Sequence, residues 1–232
     1  MDEYFATNAA YTYRYVANVE QGKPRLIAMC NLNGNDTGCP SANDKVGHWT
    51  TNPEAPQGEL YARDLPKVDG EVIWDSMAIA VWAAERYPEA RLWPSDAHAR
   101  WLARSAACEM HGGFTALRTA CSTGPDHWMV GPSRAPAPDH PGLAKDLRRI
   151  VELWRSLRER FGVGGPYLFG DWSVPDAFFT PVAARIRHFQ LDLAAHGDDG
   201  TAQAYAETLL AHPHFREWEA DALDLMHDNH PG

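Results

Sequence analysis

The chain has 232 residues, of which 44% are hydrophobic and 22% charged, a balance that excludes disordered, fibrous and membrane-embedded classes and leaves a soluble globular protein. Its 21 Lys plus Arg stand against 31 Asp plus Glu, for a net charge of −10. Such a surface repels phosphate backbones and acidic membranes, which argues against nucleic-acid and membrane partners.

The opening MDEYFATNAA has two acidic residues and neither a basic cluster nor an apolar stretch, so it predicts no secretory signal or transit peptide. The longest apolar run, residues 77–84, is far short of the ~18 residues of a membrane span. Cys30, Cys39, Cys108 and Cys121 form no C-x-x-C pair, and so few cysteines predict reduced thiols in a cytoplasmic protein rather than a disulfide framework. Cys108 and Cys121 are expected as buried apolar side chains.

In chain order, Tyr11, Tyr13 and Tyr15 alternate with Thr12, Arg14 and Val16, a period of two that predicts a strand over about 11–17. Lys23 to Cys30, with Pro24 in the first turn and Gly34 beyond, predicts a short helix. Residues 35–58 have no periodicity. Leu65-Pro66-Lys67-Val68, Asp69-Gly70 and Glu71-Val72-Ile73-Trp74 predict a β-hairpin. Asp75-Ser76 then offer N-cap oxygens to a helix with Met77, Ala80/Val81, Ala84 and Tyr87 on one face, which Pro88 ends.

Beyond Pro88 the pattern is helical, with helices expected near 97–120, 142–161, 174–190, 200–211 and 214–227. Leu143, Leu147, Ile150, Trp154, Leu157 and Phe161 step by three and four, the seam of an amphipathic helix. Ser173-Val174-Pro175-Asp176 has the form of a capping box before an apolar run. The connection from Ser122 to Gly142 is longer than the ~4–6 residues of an ordinary one. The expected fold class is therefore α/β plus all-α, with a small α/β domain over residues 1–88 and an all-helical domain over 89–232.

The segment Leu65-Pro66-Lys67-Val68-Asp69-Gly70-Glu71-Val72-Ile73-Trp74-Asp75-Ser76-Met77-Ala78-Ile79 resembles the P-x-L-x-D-G-x-x-(I/L)-x-(E/D/Q)-S-x-A-I stretch of glutathione transferases, one residue shorter between proline and turn. Leu92-Trp93-Pro94, Glu109-Met110-His111-Gly112-Gly113-Phe114, Gly170-Asp171-Trp172-Ser173-Val174-Pro175-Asp176 and His214-Phe215-Arg216-Glu217-Trp218 are similar to bacterial members. The resemblance covers about residues 59–226 and is looser before them.

It implies a thioredoxin-like N-terminal domain that holds glutathione as co-substrate, a helical-bundle domain that completes the second-substrate pocket, and a homodimer. It further implies a cis bond before Pro66, which frees the backbone of Leu65 to pair with a peptide ligand. The amides and dipole of a helix N-terminus favour an anion, so Ser76 would receive the γ-glutamyl carboxylate and Asp75 the α-ammonium group. The plain alternative is that Asp75 and Ser76 only cap the helix. Trp49, with Lys45 and His48 nearby, stands about where the tyrosine-using classes place a tryptophan on the glycyl carboxylate.

Transferases of this kind lower the pKa of a bound thiol from about 8.5. The loop Ala17-Asn18-Val19-Glu20-Gln21-Gly22 lacks the Ser or Cys that many bacterial members use. Tyr15, in Tyr11-Thr12-Tyr13-Arg14-Tyr15-Val16 followed by Gly22-Lys23-Pro24-Arg25, resembles the tyrosine of other classes, and its hydroxyl can donate to a thiolate. Asn18 is the second candidate, through its side-chain amide. Each also has a structural reading, Tyr15 in the aromatic face of a strand and Asn18 in turn chemistry.

Met110, His111 and Phe114 are the expected lining of the second-substrate pocket. Gly112-Gly113 within a helix points to close backbone approach or tight helix packing. No H-E-x-x-H, G-x-G-x-x-G or phosphate-loop motif occurs, so neither a metal nor a nucleotide is expected. The expected activity is thiol activation for attack on a small hydrophobic electrophile. The alternatives are a glutathione-dependent isomerase and a non-catalytic scaffold on the same fold.

Overall fold

The structure is a computed structural model that describes residues 12–20, 23–32, 67–68, 71–73, 75–121 and 140–220. Strand β1 (Thr12–Glu20) pairs antiparallel with β2 (Lys23–Leu32), from Glu20↔Lys23 to Thr12↔Leu32. The register shifts between Tyr15 and Ala17. The pairs Tyr15↔Met29 and Ala17↔Leu26 put one extra residue on β2, a bulge that increases local twist. β1 answers the expected strand and extends it, but the helix expected over 23–30 is a strand. An apolar run this short carries no decisive period, and a helix of eight residues is marginal without tertiary support. With only Gln21-Gly22 separating the paired ends, the ladder satisfies the backbone instead.

Strand β3 (Lys67–Val68) pairs with β4 (Glu71–Val72) as the expected hairpin across Asp69-Gly70, with Val68 opposite Glu71. Helix α1 (Ser76–Arg86) follows with Asp75 as its N-cap. A single 3₁₀ turn at Pro88–Ala90 then leads into the helical part.

The long helix expected over 97–120 is two: α2 (Ala97–Gly112) and α3 (Thr115–Ala120). The break falls at Gly113 and Phe114, with Phe114 in the left-handed region at φ 54°. A Cβ at Gly113 would lie 2.4 Å from the Glu109 carbonyl oxygen, whereas Gly112 faces open space. Only Gly113 is therefore required by close approach.

Helix α4 (Leu143–Phe161) buries Leu147, Ile150, Trp154 and Leu157 along the anticipated seam. Helix α5 (Val174–His188) is buried on nearly every side, its Asp176, Arg185 and His188 included. It packs against α2, against α6 (Thr201–Ala211) and against the backbone of β2. Among the described residues a further helix covers 213–220. Trp154 meets Phe179 and Tyr205 edge-on, with ring centroids 5.5 and 4.9 Å away. Such aromatic pairs add roughly 0.5–1.5 kcal/mol each beyond the area they bury.

The start of α5 carries the predicted capping box. Asp176, fully buried, accepts from Ser173 N (2.9 Å), Ser173 Oγ (3.0 Å), Leu168 N (3.0 Å) and Tyr205 Oη (2.8 Å). One carboxylate thus joins the α5 N-terminus, the preceding loop and α6. Burial pushes its pKa up to about 6, against the opposing pull of these four donors.

Cys121 is buried, with a thiol pushed up to about 11 by burial, offset in part by the Arg185 charge. Cys108 is exposed, contrary to expectation. The inward face of α2 is taken by Ala99, Ala103, Ala106, Ala107 and Met110, and Cys108 projects from another side. No helix among the described residues is long and apolar enough to cross a membrane.

Candidate functional site

The N-terminus of α1 and the C-terminus of α2 meet through three side chains. Asp75 turns its backbone to φ 73°, ψ 127°, a region disfavoured for any residue with a Cβ and costing about 1–3 kcal/mol. Its carboxylate offsets that cost. Oδ1 accepts from Met77 N (2.8 Å) and Ala78 N (3.3 Å), capping two of the amides that open the helix. Oδ2 accepts from His111 Nε2 at 2.9 Å, from 36 residues further along the chain.

In the tautomer that carries its proton on Nε2, Nδ1 accepts from the Ser76 hydroxyl at 3.4 Å. Ser76 is 2% exposed, while the side chains of His111 and Asp75 are 23% and 42% exposed. The open face of the cluster therefore belongs to the aspartate, with the serine beneath. Burial raises the Asp75 pKa, but the hydrogen bond and charge of His111 and the Met77 and Ala78 amides outweigh it, so the carboxyl titrates below its ordinary value.

His111 is itself held by its surroundings. It lies in the last turn of α2, and its ring meets Phe178 edge-on at 6.1 Å. Arg118, almost buried on α3, donates to the carbonyls of Met110, His111 (3.1 Å) and Gly113 (2.8 Å). These are orphan carbonyls of the α2 C-terminus, where a cation also complements the helix dipole.

Of the residues expected at the site, Asp75, Ser76 and His111 are brought into one cluster. Met110 and Phe114 are 1% and 7% exposed and sit in the helical core, with Phe114 6.4 Å from the Phe179 ring. Tyr15 and Asn18 fall on β1, paired through the backbone with Met29 and Arg25. The bond before Pro66, with Leu65, Pro66 and Trp49, lies outside the described residues. Sequence reasoning did not anticipate the bond from His111 to Asp75 or the capping by Arg118. The signal for the second was the Gly112-Gly113 helix end, which leaves carbonyls that a nearby cation must satisfy. Among the described residues no group of three or more His, Cys, Asp or Glu is placed to hold a metal ion.

The class defined by these elements is an α/β-plus-helical protein in which an aspartate–serine pair opens a helix behind a β-hairpin and a histidine of the bundle braces that pair. In structure the chain is similar to glutathione transferases. One is a homolog from Burkholderia with bound glutathione, at 20% identity over 68% of this chain and 71% of that one, TM-score 0.47. A second, from Legionella pneumophila, has 18% identity over 66% and 78%, TM-score 0.43. A third, from Methylococcus capsulatus strain Bath, has 23% identity over 68% and 71%, TM-score 0.46. No family model matches the chain, and no curated protein matches it.

Proposed function

We propose that this protein is a glutathione transferase that activates the glutathione thiol for attack on a small hydrophobic electrophile. The observation that carries the proposal is the Asp75–Ser76 pair at the start of α1. A partly exposed carboxylate stands over a buried hydroxyl at the positive end of a helix, and the two are complementary to the ammonium and carboxylate of an α-amino-acid end. In this reading Asp75 takes the α-ammonium of the γ-glutamyl group and Ser76 its carboxylate. The backbone of Leu65, before Pro66, pairs with the cysteinyl residue, and Trp49 takes the glycyl end.

Tyr15 supplies the donor for the sulfur, with Asn18 as the alternative. A hydroxyl donating to the thiolate favours the charged form, lowers the pKa of the bound thiol below about 8.5 and leaves nucleophile present at neutral pH. The end of α2 with His111 and the turn at Phe114 into α3 bound the second-substrate pocket, with Met110 packed beneath them, and the working species is a homodimer in the cytoplasm.

Titration calorimetry with reduced glutathione tests the reading at its base, because a protein that has lost the site gives no binding heat. Ultraviolet titration of the bound thiolate tests the chemistry. Tyr15→Phe should raise the thiol pKa and cut turnover with affinity nearly unchanged; a fully active Phe variant transfers the donor role to Asn18.

A further inference from the structure

We infer that His111 is the positioning residue of this site, holding the Asp75 carboxylate at the angle at which its remaining lone pair meets the α-ammonium of the ligand. This role rests on the proposed glutathione site and adds to it a residue from the helical part of the chain. It follows from the number of acceptor positions on the carboxylate. Oδ1 of Asp75 already accepts two amides of α1, from Met77 and Ala78, which fills its two lone pairs. Oδ2 accepts from His111 Nε2 at 2.9 Å and has one position left, on an oxygen whose side chain is 42% exposed. An ammonium group arriving at Asp75 therefore binds next to the imidazole.

The same ring governs the other half of the pair. Its Nδ1 accepts the Ser76 hydroxyl at 3.4 Å, close to the outer limit of a hydrogen bond, so this proton passes to an incoming carboxylate with little loss. One imidazole thus sets the carboxylate and the hydroxyl relative to each other. Its own place is fixed from behind, by Arg118 on the carbonyls of Met110, His111 and Gly113 and by the Phe178 edge.

The test is titration calorimetry of the full chain with two probes, reduced glutathione and its analogue without the α-amino group, glutaryl-cysteinylglycine. The variants are His111→Phe, which keeps an aromatic ring but has no nitrogen to donate, His111→Asn, which is too short to reach Asp75, and His111→Gln, whose amide nitrogen reaches toward the Nε2 position. Loss of an oriented charge-assisted bond predicts that Phe and Asn weaken glutathione about tenfold, leave the deaminated probe within about twofold, and that Gln stays within about threefold of the unaltered protein. The Asn variant supplies the same comparison should Phe fail to fold. Equal weakening of both probes, no weakening by Phe or Asn, or a Gln variant as weak as Phe each overturns the role of His111 while glutathione binding stands. Absence of glutathione binding by the unaltered chain overturns the proposed function and this inference together.

Discussion

Asp176 ties three elements together from a position with no solvent contact, and its replacement reads out how burial and hydrogen bonding compete. Its folded pKa of about 6 lies above the ordinary 3.8, so between those values the folded state holds a proton that the unfolded chain has released. Stability from this group is therefore present below about pH 4 and is lost as pH rises through about 6, by an amount on the order of 3 kcal/mol. Asp176→Ala removes the acceptor of the buried Ser173 and Leu168 amides and of two hydroxyls. At about 1–3 kcal/mol for each stranded amide, it should cost roughly 4 kcal/mol at acid pH. Asp176→Asn resembles the protonated acid in keeping one acceptor oxygen, and should cost only about 1 kcal/mol there. The Asn variant does not titrate, so its deficit should shrink toward neutral pH, and it should match or exceed the unaltered protein in urea unfolding followed by tryptophan fluorescence at about pH 7. Comparing the two proteins at each pH cancels the other carboxylates. A deficit that instead grows with pH would show that the four donors outweigh burial and that the stated sign is wrong.

Three further substitutions probe the frame that holds the site. Gln190 has φ 51° directly after α5, with its N–H to Arg187 O at 3.3 Å and Leu191 N to Ile186 O at 3.0 Å, the helix-end motif that favours glycine. Gln190→Gly should stabilise by about 0.5–1 kcal/mol and raise Tm by about 2–4 °C in calorimetry; a lower Tm would refute the strain. Arg149 on α4 grips Glu109 on α2 with two bonds of 2.6 and 2.9 Å, both side chains partly exposed. Glu109→Gln should cost no more than about 1 kcal/mol, and the difference should vanish in about 1 M salt, where exposed charges are screened within ~3 Å. A salt-independent cost would assign the effect to packing. Trp154, buried against Phe179 and Tyr205, should lose about 3–5 kcal/mol on truncation to Ala, and a loss below about 1 kcal/mol in the same urea assay would mean the core collapses around the gap.

Where a signal is local, the chain declares its structure in one dimension. The three-and-four spacing of Leu147, Ile150, Trp154 and Leu157 produced α4, Ser173 and Asp176 produced the capping box, and Asp69-Gly70 produced the β3–β4 hairpin. Each of these depends on atoms a few residues apart, so periodicity and capping chemistry suffice. Lys23 to Leu32 became a strand because its ladder with β1 satisfied the backbone that a short helix would have satisfied alone. The helix expected over 97–120 divided at Gly113, where only a residue without a Cβ clears the Glu109 carbonyl. Asp75 and Ser76 could be named as helix-opening residues from their order. That His111 braces both, and that Tyr205 reaches Asp176 from α6, follows only from how the helices lie together. Hydrogen bonds between groups dozens of residues apart leave no period in the sequence, and packing of the bundle alone decides which of them can form.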